Sequence, residues 1–353
     1  MEKHKQISRR EFIVGSLAAA ASFAIPESLE SLDSPQPNID TLAKFSGNAI
    51  MKRGQDPTAA LINEKIYYAG AVGTGINIVS AESVPELSRT DILNPQQQAW
   101  QASEKDIGKD TSIWKPTLYP DRNEITIYGS TYDGDISGFQ RIFAIGADSM
   151  EDEFHFLGYL NTGHDWSIDG SRFNYRGTDF FVWSGKDSKG GGSNQNLLIA
   201  EMKNAHRLTN NISIISKPEY EWEAFSPSQK INEAPLAYIP STDTEPILVF
   251  SAAGSWTQKY CLGRLSLVGD DPLNPKHWHK HPEPIFKKFK TIYGPGSHCI
   301  VRDKIGVGWL IYNNKITPWP NWKRQVRAQK INFDENGLPV FGRPSYSYEQ
   351  AYL

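Results

Sequence analysis

The chain contains little cysteine, and several other features are missing from it. Only two cysteines occur among 353 residues, Cys261 and Cys299. The fold therefore does not depend on a disulfide framework, and we expect two buried free thiols. No apolar run is long enough to cross a bilayer, so we expect no membrane span in the mature protein. The net charge is −3 and no face rich in Lys and Arg is evident, which argues against nucleic acid as a partner.

Helical periodicity is nearly absent, and a strand-like signature occurs five times instead. Each copy is an apolar run that ends in an aromatic residue followed by short side chains. The aromatic positions are Tyr68, Tyr128, Trp183, Phe250 and Tyr312, separated by 60, 55, 67 and 62 residues. A period of this length fits one four-stranded blade with its loops. The sequence therefore predicts an all-β fold, a five-bladed β-propeller.

A short polar segment precedes each of these aromatic residues by 12 to 17 positions. Two antiparallel strands and a turn span that distance, so we expect each segment near the start of the innermost strand of its blade. Innermost strands line the central channel of a propeller. The residues expected to face one another there are Asp56, Lys115, Asp169, Glu233 and His298. Such a cluster is costly to desolvate and indicates a functional site; the alternative is that these residues cap separate turns.

Three channel carboxylates suggest a particular chemistry. Hydrolysis of a glycosidic bond needs one carboxylic acid to protonate the leaving oxygen and one carboxylate to activate water or attack the sugar. Asp56, Asp169 and Glu233 supply these groups. Because they come from different blades, a separation of roughly 6.5–9.5 Å is natural, which leaves room for a water molecule and predicts inversion.

Short motifs lie in and between the repeats in a defined order. They are Gln55-Asp56-Pro57-Thr58, Trp166-Ser167-Ile168-Asp169-Gly170, Asn232-Glu233-Ala234-Pro235, Gly254-Ser255-Trp256-Thr257, Tyr260-Cys261-Leu262-Gly263, Gly294-Pro295-Gly296 and Val326-Arg327-Ala328-Gln329. In this order and spacing they resemble family 43 glycoside hydrolases, and most closely the exo-acting α-L-arabinofuranosidases. The resemblance runs from about residue 42 to 345. It implies a five-bladed propeller that acts on oligo- or polysaccharides with inversion and needs no organic cofactor.

The resemblance also implies a role for individual residues. Asp56 matches the general base that activates water, and Glu233 matches the general acid. Asp169 matches a third carboxylate that orients the substrate and keeps the pKa of the acid high. Arg327 matches an arginine that borders the pocket. His298 resembles a channel histidine that helps to hold calcium or another ion at the propeller axis; the alternative is a core histidine.

Three tryptophans are candidates for substrate binding: Trp114, Trp166 and Trp256. For Trp166 and Trp256 the alternative is that the side chains pack between blades and do not contact the sugar. Three departures from the family pattern affect the substrate contacts or the ion site more than the three acids, and one of them is Tyr312-Asn313 in place of the common Tyr-His. Lys115 lies in Trp-Lys-Pro-Thr where the family has Trp-Ala-Pro-Glu, so a pocket carboxylate is lost, and Ser297 is inserted before His298.

The N-terminal residues predict an export signal. Ser8-Arg9-Arg10-Glu11-Phe12-Ile13-Val14 is a twin-arginine pattern, an apolar segment follows it, and cleavage is expected after Ala24. The alternative is a retained basic helix. We therefore expect a signal peptide at 1–24, a linker at 25–41 rich in Ser, Pro and acidic residues, and a single catalytic propeller at 42–353. The mature protein is expected to be monomeric and periplasmic or extracellular.

The function predicted is an exported, exo-acting glycoside hydrolase that removes terminal pentose units, α-L-arabinofuranose first among them, from plant-type poly- or oligosaccharides. Two alternatives stay open. One is a β-xylosidase or another exo-glycosidase of the same fold. The other is a non-catalytic sugar-binding propeller, since function resides in the site and not in the fold.

Overall fold

The computed structural model describes residues 47–350, except 53, 96, 108–111, 122–123, 133–139, 164–165, 187–193, 227 and 242–243. The predicted signal peptide and linker lie outside the described residues, so they stay predictions. The described residues belong to one unit, Ser46–Leu353. None of the helices in this part of the chain is long and apolar enough to cross a membrane.

Nearly all regular structure in the described ranges is strand. In chain order the strands are β1 (Ala49–Met51), β2 (Thr58–Ile62), β3 (Lys65–Val72), β4 (Gly75–Ala81), β5 (Gln97–Gln101), β6 (Ile113–Pro120), β7 (Ile125–Tyr132), β8 (Gln140–Ala147), β9 (His155–Tyr159), β10 (Ser167–Tyr175), β11 (Thr178–Gly185), β12 (Asn196–Asn204), β13 (Arg207–Ser216), β14 (Ala224–Ser226), β15 (Gln229–Lys230), β16 (Asn232–Tyr238), β17 (Ile247–Ala252), β18 (Cys261–Leu267), β19 (Trp278–Lys280), β20 (Tyr293–Arg302), β21 (Gly308–Lys315), β22 (Arg324–Phe333) and β23 (Pro339–Val340). The short helical segments are the 3₁₀ turns Pro85–Arg89, Glu221–Glu223 and Pro275–His277 and the α-helix α1 (Glu104–Ile107).

The strands form five antiparallel blades, which confirms the predicted propeller. Blades one to four have the strand orders β2-β3-β4-β5, β6-β7-β8-β9, β10-β11-β12-β13 and β16-β17-β18-β19. Blade five has the order β20-β21-β22-β1, with β23 paired to β22. The hairpin β14-β15 precedes blade four. Each signature aromatic residue lies on the second strand of its blade.

Apolar runs without alternation mark the second strands because both of their faces are buried between blades. In β17 every residue from Ile247 to Ala252 is buried. The core accordingly divides into five hydrophobic clusters, one for each contact between neighbouring blades. For example, Tyr128 of blade two and Trp183 of blade three share one cluster. Burial of this kind stabilises by about 25 cal/mol per Å² of apolar surface.

The ring is closed by a strand that the sequence did not reveal. β1 adds to β22 as the outermost strand of blade five, so the first and last described parts of the chain share one sheet. Asn48 is fully buried, and its Nδ2 donates to the carbonyl oxygens of Ala328 at 2.8 Å and of Ser345 and Ser347 at 3.0 Å. Cys261 and Cys299 are buried free thiols, as expected.

Candidate active site

A left-handed residue stands near the start of the inner strand in every blade. These residues are Asp56, Lys115, Asp169, Ala234 and Ser297, with φ values between +36° and +58°. In blades two to five the pairing of the first two strands shifts by one residue at this point. A bulge of this kind bends the strand and redirects a side chain, and a left-handed non-glycine residue costs about 1–3 kcal/mol. Because this conformation occurs once in each blade, the backbone strain lies around the propeller axis.

Side chains of the strand signature support these bulges from the preceding blade. The backbone N–H of Asp56 donates to Asn313 Oδ1 at 3.1 Å, and that of Asp169 donates to Ser130 Oγ at 2.9 Å. The N–H of Ser297 donates to Ser251 Oγ at 2.9 Å. The short polar residues after the aromatic positions therefore fix the channel residues of the next blade.

Asp56 lies beside a buried arginine. Arg324 Nη1 is 3.5 Å from Asp56 Oδ1, and its Nη2 donates to Gln55 Oε1 at 2.7 Å. The side chains of Arg324 and Asp56 are 2% and 14% exposed, so little solvent screens their attraction. The guanidinium is placed to stabilise a negative charge on Asp56 while leaving the carboxylate partly accessible to water.

Glu233 lies one position before the left-handed residue of its blade and is buried. Tyr260 Oη donates to Glu233 Oε1 at 2.8 Å. Gly296 of the neighbouring blade makes this contact sterically possible, because a Cβ there would lie 2.3 Å from Tyr260 Cε1. The Gly-Pro-Gly segment thus has a packing role in positioning Glu233.

The surroundings of Glu233 raise its pKa from 4.5 to about 8. The largest cause is burial, followed by the charge of Asp169 and, more weakly, that of Asp56; the hydrogen bond from Tyr260 and the charge of Arg324 act in the opposite direction. Each of these charges must lie close to Glu233 to act on it. The structure therefore brings the predicted acids Asp56, Asp169 and Glu233 into one electrostatic environment, which favours the protonated form of Glu233.

Asp169 is buried and immediately precedes a close contact between the first two strands of blade three. A Cβ on Gly170 would lie 2.2 Å from Phe181 Cζ, so only glycine fits after Asp169. The next residue, Ser171, donates from Oγ to Pro235 O at 2.7 Å. This hydrogen bond holds blade three against β16, the inner strand that carries Glu233.

A buried ion pair, Lys280 with Glu223, contacts the residue before Glu233. Glu223 Oε1 accepts from Lys280 Nζ at 2.8 Å and from Asn232 Nδ2 at 2.8 Å, and the side chains of Lys280 and Glu223 are 6% and 0% exposed. Asn232 directly precedes Glu233. The pair thus fixes the start of the inner strand that carries the buried acid.

The axial residues do not fit a calcium ion. Lys115 is buried, and its Nζ donates to Ser297 Oγ at 3.3 Å, which joins the non-adjacent blades two and five across the channel. His298 is fully buried, and neither ring nitrogen has a hydrogen-bond partner within the described ranges. Burial, together with the charge of Lys115, lowers the pKa of His298 to about 3.

A divalent cation would be repelled by the buried ammonium of Lys115, and calcium prefers several oxygen ligands. Within the part of the chain that the structure describes, no group of three or more His, Cys, Asp or Glu side chains could hold a metal. We therefore assign the axial positive charge to Lys115 and derive no step through a metal.

The three predicted tryptophans are half-buried. Trp114 and Trp166 lie at the start of the inner strands of blades two and three, and Lys186 Nζ is 4.3 Å from the centroid of the Trp166 ring. Trp256 packs between Phe225 and Trp322, with centroid distances of 4.8 and 5.5 Å. Substrate binding by these three side chains stays a prediction.

The resemblance assigns Arg327 to the pocket border, whereas its hydrogen bonds in the structure join it to Asn314 and Asn48. Its Nε donates to Asn314 Oδ1 at 2.9 Å and its Nη1 to Asn48 Oδ1 at 2.6 Å, so it helps to close the ring. The arginine beside Asp56 is Arg324, which sequence reasoning missed. Residues three apart on a strand face opposite sides, so the two arginines of β22 lie on opposite faces of blade five. Tyr260 was also missed as a partner of Glu233, although it begins one of the resembling motifs.

A propeller whose channel holds a buried carboxyl group with a raised pKa, together with a carboxylate paired with arginine, has the groups that glycoside hydrolases need. The model of glycosyl hydrolases family 43 matches residues 47–339. The chain belongs to this family.

Known relatives support the assignment of the chain to this family. Alpha-L-arabinofuranosidase 43 of Humicola insolens is 27% identical over 71% of this chain and 53% of its own length. An extracellular exo-alpha-(1->5)-L-arabinofuranosidase of Streptomyces chartreusis is 25% identical over 83% of this chain and 86% of its own length. The crystal structure of an alpha-L-arabinofuranosidase from Lactobacillus brevis has a TM-score of 0.72 and 24% identity, covering 85% of this chain and 97% of the other; it shows that the fold is shared. The chain spans about half the length of the Humicola relative.

Proposed function

We propose that this protein is an exo-acting, inverting glycoside hydrolase that removes terminal α-L-arabinofuranose units from oligo- or polysaccharides. Glu233 is the general acid, Asp56 the general base, and Asp169 keeps the pKa of the acid high. The observation that carries this proposal is the contrast between two carboxyl groups. Glu233 is buried with a pKa raised to about 8, while Asp56 is partly exposed beside Arg324.

The reaction follows from these environments. A water molecule attacks the anomeric carbon on the face opposite the leaving group, and the Asp56 carboxylate accepts a proton from that water. The bond from the anomeric carbon to the glycosidic oxygen breaks, and that oxygen takes the proton of Glu233. Afterwards Asp56 is protonated and Glu233 ionised, and exchange with solvent restores both. Arg324 and Tyr260 contact the two carboxyl groups and orient them for this transfer.

The choice of sugar draws on two relatives, since both are named arabinofuranosidases and the name of one specifies exo cleavage of α-(1→5) bonds. A β-xylosidase and a non-catalytic sugar-binding propeller are the alternatives to separate by experiment. Aryl glycosides of arabinofuranose and xylose distinguish the sugars, and release of reducing sugar distinguishes hydrolysis from binding alone. Inversion predicts that proton NMR detects β-L-arabinofuranose as the first product from an α-linked substrate.

Substitution Glu233→Gln tests the acid directly. General acid catalysis contributes about 10²–10⁴-fold, so we expect a loss of that size on oligosaccharides, whose leaving groups need a proton. The loss should be much smaller on aryl glycosides with good leaving groups. The exposed Glu82→Gln is the matched control. Wild-type rates on both kinds of substrate would show that Glu233 is not the acid.

Export is part of the proposal. The twin-arginine pattern at Ser8–Val14 supports it, and the Streptomyces relatives are named extracellular. Replacing Arg9 and Arg10 by lysine should retain the full-length precursor inside the cell. N-terminal sequencing of exported protein should begin after Ala24, and an intact N-terminus outside the cell would contradict the cleavage prediction.

A further inference from the structure

Two exposed tryptophans lie in one loop on the active-site face. Strand β21 ends at Lys315, which pairs with Tyr293 at the start of the inner strand β20. The loop that follows, residues 316–323, therefore lies at the end of blade five where the channel residues are. We call it the tryptophan loop. Trp319 and Trp322 are 70% and 36% exposed, so both rings leave apolar surface that a ligand can cover.

Hydrogen bonds hold the tryptophan loop in one conformation. The buried Lys315 donates from Nζ to Asn321 O at 2.6 Å. Asn321 Nδ2 donates to Thr317 Oγ1 at 2.6 Å and to Trp319 O at 2.9 Å, and its backbone N–H donates to Trp256 O at 3.0 Å. Because the loop is already ordered, a ligand that contacts its rings has little conformational entropy to remove.

The loop adjoins the catalytic carboxyl groups through one side chain. The guanidinium carbon of Arg324 lies 5.1 Å from the centroid of the Trp322 ring, and a nitrogen of the same guanidinium is 3.5 Å from Asp56 Oδ1. The centroid of the Trp256 ring lies 5.5 Å from that of the Trp322 ring. A ligand held at Asp56 can therefore extend over the tryptophan loop.

We propose that Trp319 and Trp322 bind the sugar units of a linear pentose oligosaccharide that lie on the leaving-group side of the bond to be cleaved. This inference rests on the proposed function, because an exo-acting enzyme places only the terminal unit at its acids and every further unit on the leaving-group side. Sugar rings present apolar C–H faces that suit aromatic rings. Two tryptophans bury at most about 500 Å², whereas a stable protein interface needs roughly 1,200 Å² or more, so these two side chains alone suit one or two sugar rings better than a protein partner.

The test is a binding titration that does not require turnover. Linear α-(1→5)-arabino-oligosaccharides of one to five units are titrated calorimetrically into the Glu233→Gln protein, with and without Trp319→Ala or Trp322→Ala. The parent should bind two or three units about tenfold more tightly than one, and each tryptophan variant should lose most of that gain. The matched control is Ile305→Ala, because Ile305 is 80% exposed in the loop at the opposite end of blade five.

The two proposals fail in different ways. If affinity does not rise beyond one unit, or if both tryptophan variants keep the full gain, the tryptophan loop is not a sugar-binding surface. If the gain is present and lost in the variants while wild-type protein hydrolyses none of these oligosaccharides, the surface is supported and the proposed hydrolysis is wrong. Concentration-dependent dimerisation that Trp319→Ala abolishes, without any effect on sugar affinity, would also overturn the inference.

Discussion

Substitution Tyr260→Phe removes a hydrogen bond that opposes the raised pKa of Glu233. Tyr260 Oη donates to Glu233 Oε1 at 2.8 Å, and this bond favours the ionised carboxylate. A hydrogen bond to a charged group contributes about 1.5–3 kcal/mol, and 1.36 kcal/mol corresponds to about one pKa unit. Both side chains are buried, so solvent compensates little. Removing the hydroxyl should therefore raise the pKa of Glu233 from about 8 by roughly 1–2 units.

The assay is the pH dependence of kcat/KM for an arabinofuranoside. Activity requires protonated Glu233, so the alkaline limb reports its pKa and should move to higher pH in Tyr260→Phe. The acid limb should stay in place, because it depends on Asp56 and its partner Arg324. Tyr128→Phe is the control, since Tyr128 is also fully buried and its hydroxyl donates to Ala205 O at 2.9 Å. An alkaline limb that stays fixed or moves to lower pH would refute this reasoning.

Two further predictions concern buried charges. Glu223→Gln leaves the ammonium of Lys280 buried without the carboxylate that it contacts at 2.8 Å, so the free energy of unfolding in urea should fall by about 3 kcal/mol. Glu82→Gln breaks a solvent-exposed pair with Lys304 and should destabilise the protein far less. Equal losses in the two variants would show that burial does not matter here. The second prediction is that EDTA changes neither the Tm nor the hydrolysis rate, because the ammonium of Lys115 supplies the positive charge at the axis. A fall in the Tm or in the rate that added calcium restores would show that a metal binds despite this lysine.

The inner-strand bulges link the stability of the fold to its chemistry. Five left-handed residues cluster around one axis, and polar side chains from neighbouring blades accept hydrogen bonds from three of their backbone N–H groups. An isolated blade lacks these neighbours. The strained conformation of Asp56 or Asp169 is therefore maintained by the complete ring, which also brings the two carboxyl groups to the same channel.

Much of the architecture was predictable because it depends on local pattern. Apolar runs predicted the second strands, and the repeat of about sixty residues predicted five blades, since each blade is one supersecondary unit that must bury both faces against its neighbours. The offset between Asp56, Asp169 or Glu233 and the following aromatic residue placed all three at the start of inner strands. Closure by β1 was not predictable, because three residues carry too little periodicity to indicate a strand.

The amino-acid sequence by itself determined the blades, their number and the acids that meet at the axis, because these follow from periodicities that persist along the chain. Only the tertiary structure decided that Arg324 and not Arg327 lies beside Asp56, that Tyr260 holds Glu233, and that Lys115 reaches Ser297 across the channel. These contacts depend on which face of a strand a side chain takes and on the packing of other blades against it. Neither property is encoded within a single repeat.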